Sequence, residues 1–302
     1  MKKEELRALL EEAGVRPSRG EGQNFLVEEN LAAAIARDGL ADADPARTVV
    51  LEVGPGVGVL TQHLVAGSAR VLAVDIEDRL IALTRARLGD PPGLRLLHAD
   101  VLADKSHVAP AVVEAARALL RPGDALRVVS NLPYSIATPL VIGLLGLDLP
   151  LERLVVMVQL EVAERFAAPP GGEAFGAVSV LCQAACATVE LVRRVPPEVF
   201  WPRPKVTSAV VRLDPGPGRR EALARLAAPV RALFDYRRKT LGRAAREVAA
   251  RSPDLAWLPG AVALAGLDPT RRAETLSLAE LEAIVARRPA SGTDPGGAPG
   301  KD

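Results

Sequence analysis

One junction constrains this chain more than any other. The β-branched, apolar run Thr48-Val49-Val50-Leu51-Glu52-Val53 empties without a spacer into Gly54-Pro55-Gly56-Val57-Gly58. Six such residues read as a strand buried on both faces, the usual state of a strand in a parallel sheet. The glycines let the backbone turn tightly and approach a ligand, and they feed the positive end of a helix expected over 59–65. Their spacing, G-P-G-x-G, is not the dinucleotide fingerprint G-x-G-x-x-G. Glu52, just ahead of them, disfavours a pyrophosphate and suits a cationic or amino-bearing ligand.

The same arrangement recurs downstream. A strand over 70–74 ends in Asp75, where an acid bonds ribose hydroxyls in open α/β folds. A third strand over 94–97 leads through His98-Ala99 to Asp100. Runs at 126–129 and 155–158 supply two more strands, with helices expected at 109–120, 139–147 and 161–168. Strands alternating with helices at this spacing specify α/β architecture with a parallel, doubly wound sheet. A glycine turn and two acids at successive strand ends point to an adenosine-type ligand, although Asp100 taken singly also fits a helix cap.

The fourth strand stops at Ser130-Asn131-Leu132-Pro133-Tyr134. Pro133 fixes its own φ, lacks an N–H and pushes Leu132 out of helical geometry, so a rigid turn must leave the strand end. An exocyclic base amine is a poor nucleophile because its lone pair is delocalised into the ring. The Asn131 amide oxygen and the Leu132 carbonyl could accept its two N–H bonds and aim that lone pair, by positioning and fixed dipoles alone. Tyr134 could then stack on the extruded base. On these residues alone, an Asn131 that caps the following helix, with Tyr134 in the core, reads equally well.

Composition bounds the rest. A chain of 302 residues, 49% hydrophobic and 25% charged, can hold a large globular domain and a small one. No apolar run is long enough to span a bilayer, and Met1-Lys2-Lys3-Glu4-Glu5 lacks a signal core, so a cytoplasmic protein without a membrane partner is expected. Cys182 and Cys186 have no neighbouring ligands for a metal, and His63, His98 and His107 are scattered, so no metal site is expected. The net charge of +1 conceals an asymmetry: residues 190–250 hold 14 Lys+Arg against 6 Asp+Glu, a balance of +8, and the remainder carries −7. That polarity suits a polyanion-facing region, or a solvated face.

Two late strands, over 187–195 and 207–213, flank a Pro-rich loop in which Phe200 and Trp201 sit beside Arg203 and Lys205, a mixture suited to RNA bases and phosphates. Phe200 is expected to pack inward. Beyond a linker at 214–218 the periodicity is helical throughout, with segments at 221–234, 237–250, 259–265 and 278–287. Arg237, Arg238 and Lys239 then fall at a helix start, where the dipole disfavours cations and phosphate contact gives a reason for them. The Gly- and Pro-rich stretch 289–302 is expected to be disordered.

Taken in order, Gly22-Gln23-Asn24-Phe25-Leu26, Leu51-Glu52-Val53-Gly54-Pro55-Gly56, Asn131-Leu132-Pro133-Tyr134, Val162-Ala163-Glu164-Arg165, Pro202-Arg203-Pro204-Lys205-Val206 with Ser208-Ala209-Val210, and Arg237-Arg238-Lys239-Thr240-Leu241 resemble the ribosomal RNA adenine N6,N6-dimethyltransferase family. The closest branch is the one that dimethylates two adjacent adenosines near the 3′ end of 16S rRNA in small-subunit biogenesis. The resemblance spans residues 5–288. It implies S-adenosylmethionine as methyl donor and a Rossmann-like class I methyltransferase sheet over 1–215, with an N-terminal helical extension. A small all-helical, RNA-facing domain over 216–288 and a tail over 289–302 complete the chain. The implied cofactor contacts are Asn24, Leu26, Gly54, Asp75, Asp100 and Asn131; Asn131, Leu132, Pro133 and Tyr134 form the catalytic turn. Arg203, Lys205, Arg237, Arg238 and Lys239 face RNA. The implied state is a monomer acting on 16S rRNA in the small ribosomal subunit or its precursor.

Several family positions are altered. Glu21, Leu160, Glu173 and Ala177 stand where basic residues are common, and each lost cation removes a phosphate contact. Asp75 replaces the more frequent Glu. The rivals are the sister branch acting on one 23S rRNA adenine, against which Pro204-Lys205-Val206 and Arg238-Lys239-Thr240-Leu241 argue, and an assembly factor without catalysis.

Overall fold

The computed structural model describes residues 3–15, 17, 24–68 and 70–289. Glu21, Gly22, Gln23 and the tail expected beyond 289 lie outside the described residues. Helix α1 (Lys3–Glu12) buries Leu6 and Leu10. There follow β1 (Phe25–Leu26), α2 (Glu29–Leu40), β2 (Thr48–Val53), α3 (Thr61–Gly67), β3 (Arg70–Asp75), α4 (Asp78–Leu88), β4 (Leu94–His98) and α5 (Pro110–Leu119). The chain continues through β5 (Ala125–Asn131), α6 (Ala137–Leu145), β6 (Leu151–Gln159), α7 (Leu160–Ala167), α8 (Ala177–Ala185), β7 (Cys186–Val195), β8 (Phe200–Trp201) and β9 (Ser208–Pro215). Helices α9 (Arg219–Asp235), α10 (Leu241–Arg251), α11 (Leu258–Leu264) and α12 (Leu278–Val285) close it.

Seven strands form one sheet in the order β4-β3-β2-β5-β6-β9-β7. The first five are parallel, and β9 and β7 join antiparallel. Strand order reverses between β2 and β5, and in open α/β sheets the crevice at that switch is where ligands bind. Pairing of β2 with β5 ends at Leu51↔Val128, three residues before β5 itself ends. Past that point the two strands part, and the Ser130 hydroxyl spans the gap, accepting the Val53 N–H at 2.9 Å. Helix α2 lies so close to β5 that a Cβ on Gly39 would sit 2.4 Å from Val129. At the opposite ends of the strands, Arg127 (1% exposed) pairs with Glu152 and donates to the carbonyls of Gly39 and Ala41, so its buried charge is fully engaged.

Two local expectations are corrected. Strand β5 does not stop at Val129; it continues to Asn131, because pairing with β6 runs to Asn131↔Met157. Helix α10 begins at Leu241, not 237: Thr240 is extended (φ −62°, ψ 150°), and Tyr236–Lys239 form a turn closed by Lys239 N–H to Tyr236 O at 2.8 Å. Arg237, Arg238 and Lys239 therefore precede the helix instead of lying in its first turn. Strand β1, helix α4 and helix α8 carry no clear periodic signal in the sequence, and β1 exists through pairing with β8, 175 residues or so away.

The chain forms two compact units, one of residues 1–167 and 182–220, the other of 168–181 and 221–302. The second is not a simple C-terminal segment. Residues 168–181 belong with its helices, where Gly171 N–H bonds Glu274 O at 2.8 Å and the rings of Phe175 and Phe234 meet edge to face at 5.8 Å.

Candidate functional site

A cavity of about 310 Å³ opens at the carboxyl ends of β2, β3, β4 and β5. Asn24, Leu26, Gly54, Asp75, Asp100, Asn131, Leu132, Pro133 and Tyr134 all line it. Residues separated by up to 110 positions in sequence thus meet at one place. Gly54 and Gly56 have φ of +71° and +59°, values that side chains rarely adopt. A Cβ on Gly56 would lie 3.0 Å from the Phe25 ring, so the glycine turn also makes room for β1 above it.

Glu52 is the most deeply buried acid of the cavity. It is 1% exposed, and its Oε2 has no hydrogen-bond partner among the described residues. Burial, reinforced by the Asp75 charge, pushes its carboxyl up to about 8. An acid held this way is short of a donor or a cation. Asp75 is 8% exposed and likewise raised by burial; its Oδ1 accepts the Glu77 N–H at 3.0 Å, which fixes the carboxylate at the strand tip. Exposed Asp100 accepts the Leu102 N–H at 2.9 Å. These groups fit S-adenosylmethionine in kind: backbone bared by glycines, acids for hydroxyls, and a carboxyl awaiting positive charge.

The turn Asn131–Tyr134 is held from both sides. Leu132 N–H bonds Met157 O at 3.1 Å, and Ile136 N–H bonds Pro133 O at 3.2 Å. Asn131 Nδ2 donates to the backbone carbonyl of Asn24 at 3.1 Å. Tyr134 is half-buried, with its hydroxyl 2.7 Å from Ser208 Oγ on β9, which fixes the ring. Ser208 and Ser130 hold the turn and the neighbouring β2 in place, a task with no motif of its own in the sequence. The available signal was a lone hydroxyl within an apolar strand. Pairing of Phe25 with Trp201 and of Leu26 with Phe200 ties the cavity rim to the Pro-rich loop, and Phe200, 1% exposed, is core.

The cations divide. Arg203 pairs with Glu198, while Lys205 is exposed and has no partner among the described residues. In the helical unit Arg237 and Arg238 are exposed and equally unpaired. Lys239 is not: it reaches Glu247 at 2.7 Å and lies 4.9 Å from the centre of the Tyr236 ring, which Arg251 also approaches, at 5.6 Å. Cys182 and Cys186 are free thiols outside the cavity; burial pushes the Cys186 thiol up to about 12, so neither offers a nucleophile. Among the described residues no cluster of His, Cys, Asp or Glu is arranged to hold a metal, and no helix is long and apolar enough to cross a membrane.

Comparison with known proteins gives the same outline. The family model for ribosomal RNA adenine dimethylase matches residues 18–254. A ribosomal RNA small subunit methyltransferase A from Anaeromyxobacter dehalogenans is 43% identical, covering 92% of this chain and 95% of its own. The protein of that name from Clostridium perfringens is 36% identical over 91% and 92%. Among solved structures, a dimethyladenosine transferase from Plasmodium falciparum superposes with a TM-score of 0.70 at 20% identity, covering 86% of this chain and 95% of that one. The 23S rRNA methyltransferase ErmE gives 0.61 at 23%, over 87% and 99%. These two show the class I methyltransferase fold. Nearly full-length identity of this order, together with the family match, places the chain in the ribosomal RNA adenine dimethylase family.

Proposed function

We propose that this protein is an S-adenosylmethionine-dependent rRNA adenine-N6,N6-dimethyltransferase acting on two adjacent adenosines near the 3′ end of 16S rRNA, during small-subunit assembly in the cytoplasm. One observation carries the reading: an anchored amide, Asn131, shares a cavity with a glycine turn and two buried acids. Bound there, S-adenosylmethionine supplies a methyl group on a positively charged sulfonium. Asn24, Leu26, Gly54, Asp75 and Asp100 would hold it, with Glu52 as a counter-charge. The Asn131 oxygen and the Leu132 carbonyl accept the N–H bonds of the target amine and withdraw its lone pair from the ring. Tyr134, fixed through Ser208, offers a face for an extruded adenine.

Arg203, Lys205, Arg237 and Arg238 would contact RNA phosphate as a monomeric protein binds the small subunit or its precursor, and Lys239 would support them from its place beside Tyr236. The motifs Pro204-Lys205-Val206 and Arg238-Lys239-Thr240-Leu241 favour 16S over 23S rRNA. The test is incubation with labelled donor and undermethylated small subunits and, in parallel, large subunits, followed by identification of the modified bases. Label in two adjacent dimethyladenosines of 16S rRNA is the expected result. Label in 23S rRNA alone, or in no RNA, would sink the assignment.

A further inference from the structure

Two backbone segments 107 residues apart meet at the Asn131 side chain. A carbonyl oxygen can only accept, so the end of the amide facing Asn24 must be its NH2 group. The Oδ1 end is left without a partner among the described residues, in a side chain that lines the cavity. Neither anchor is loose. The backbone of Asn131 is fixed by pairing with Met157. Asn24 leads into β1, which is paired with β8 through Phe25↔Trp201 and Leu26↔Phe200 and extended by Val27 N–H to Val199 O at 2.9 Å.

We propose that the backbone carbonyl of Asn24 is a positioning group for methyl transfer: it occupies the Asn131 NH2 and makes that amide an acceptor only, towards the target amine. The proposal rests on the functional reading above and goes beyond it. Strand β8, which holds no cavity residue, then belongs to the apparatus that aims Asn131. A side chain at 131 must donate in one direction and accept in the other. A carboxylate of the same shape accepts in both directions and is repelled by the Asn24 carbonyl unless it carries a proton.

Asn131→Asp tests this. Charged and titratable groups around the cavity that holds position 131 are Glu52 on β2, Asp75 at the end of β3, Asp100 after β4 and Tyr134 on the turn; Met157 on β6 adds none. All are present in wild type, so the readout is the variant-to-wild-type ratio of kcat at saturating donor and RNA. We expect that ratio to fall about tenfold or more at pH 8, the loss of a hydrogen bond at the reacting group, and to climb severalfold as pH drops to 6. The same rise should persist in a Glu52→Gln background, where one cavity acid is neutral. A second readout needs no catalysis: the thermal midpoint of Asn131→Asp relative to wild type should fall as pH rises from 5 to 8. A pH-independent ratio with a pH-independent midpoint difference overturns the proposal. Failure of wild type to methylate RNA instead overturns the functional reading and leaves the midpoint test standing.

Discussion

The cavity and the cationic turn of the helical unit are built on opposite principles. Around the cavity, Asp75 is fixed by the Glu77 N–H, Asn131 by Asn24 and Tyr134 by Ser208, with buried Glu52 the exception. At the turn, Arg237 and Arg238 stand exposed and unpaired, and only Lys239 is tied down. Fixed dipoles in a water-poor site act through geometry, so small displacements there are costly. Exposed cations on long stems act through net charge and counterion release, and tolerate displacement. Substitutions should therefore be steep in the first region and shallow in the second.

The steepest should be Asn131→Ala. Transfer falls about 100- to 1000-fold in single-turnover assays while donor binding by calorimetry changes little; loss of both together would mean the amide serves the cofactor and not the target. Glu52→Gln comes next, and its effect depends on pH. Because the folded carboxyl titrates near 8 and the unfolded one near 4.5, the ligand-free protein should lose stability as pH rises between those values. Binding of a cationic donor favours the ionised acid, so donor affinity of wild type should rise through pH 8. Glu52→Gln should flatten both trends, and unchanged slopes would remove Glu52 as the counter-charge. Gly56→Ala forces a left-handed residue and a 3.0 Å approach to Phe25, costing about 1–2 kcal/mol in unfolding free energy and weakening donor binding.

The smallest effects belong to the turn. Arg237→Ala and Arg238→Ala should each reduce the salt dependence of RNA binding by about 0.7 in the log–log slope. Lys239→Met should lower the thermal midpoint while leaving that slope nearly unchanged, since its charge already serves Glu247. A slope change at Lys239 equal to that at Arg237 would erase the distinction within the turn.

The cavity half was the more legible in sequence for the same physical reason. Parallel strands write themselves as apolar runs, and their functional ends as the abrupt Gly54, Asp75, Asp100 and Asn131. Strand β1 was illegible because two residues have no periodicity; it depends on Phe200 and Trp201, far along the chain. The start of α10 was misplaced because Arg237–Lys239 are good helix formers, and the extended Thr240 that stops them is held by its bridge to Arg272. The grouping of 168–181 with the C-terminal helices is a tertiary fact without a local signature.

Ser130 has one more lesson. Its hydroxyl ties the fork where β2 and β5 separate, with Gly54 on one prong and Asn131 on the other. On the proposed function, the span between donor pocket and acceptor amide is gauged by a hydroxyl buried in the sheet. A substitution at Ser130 would then adjust that gap from inside the sheet, without altering a single group proposed to take part in the chemistry.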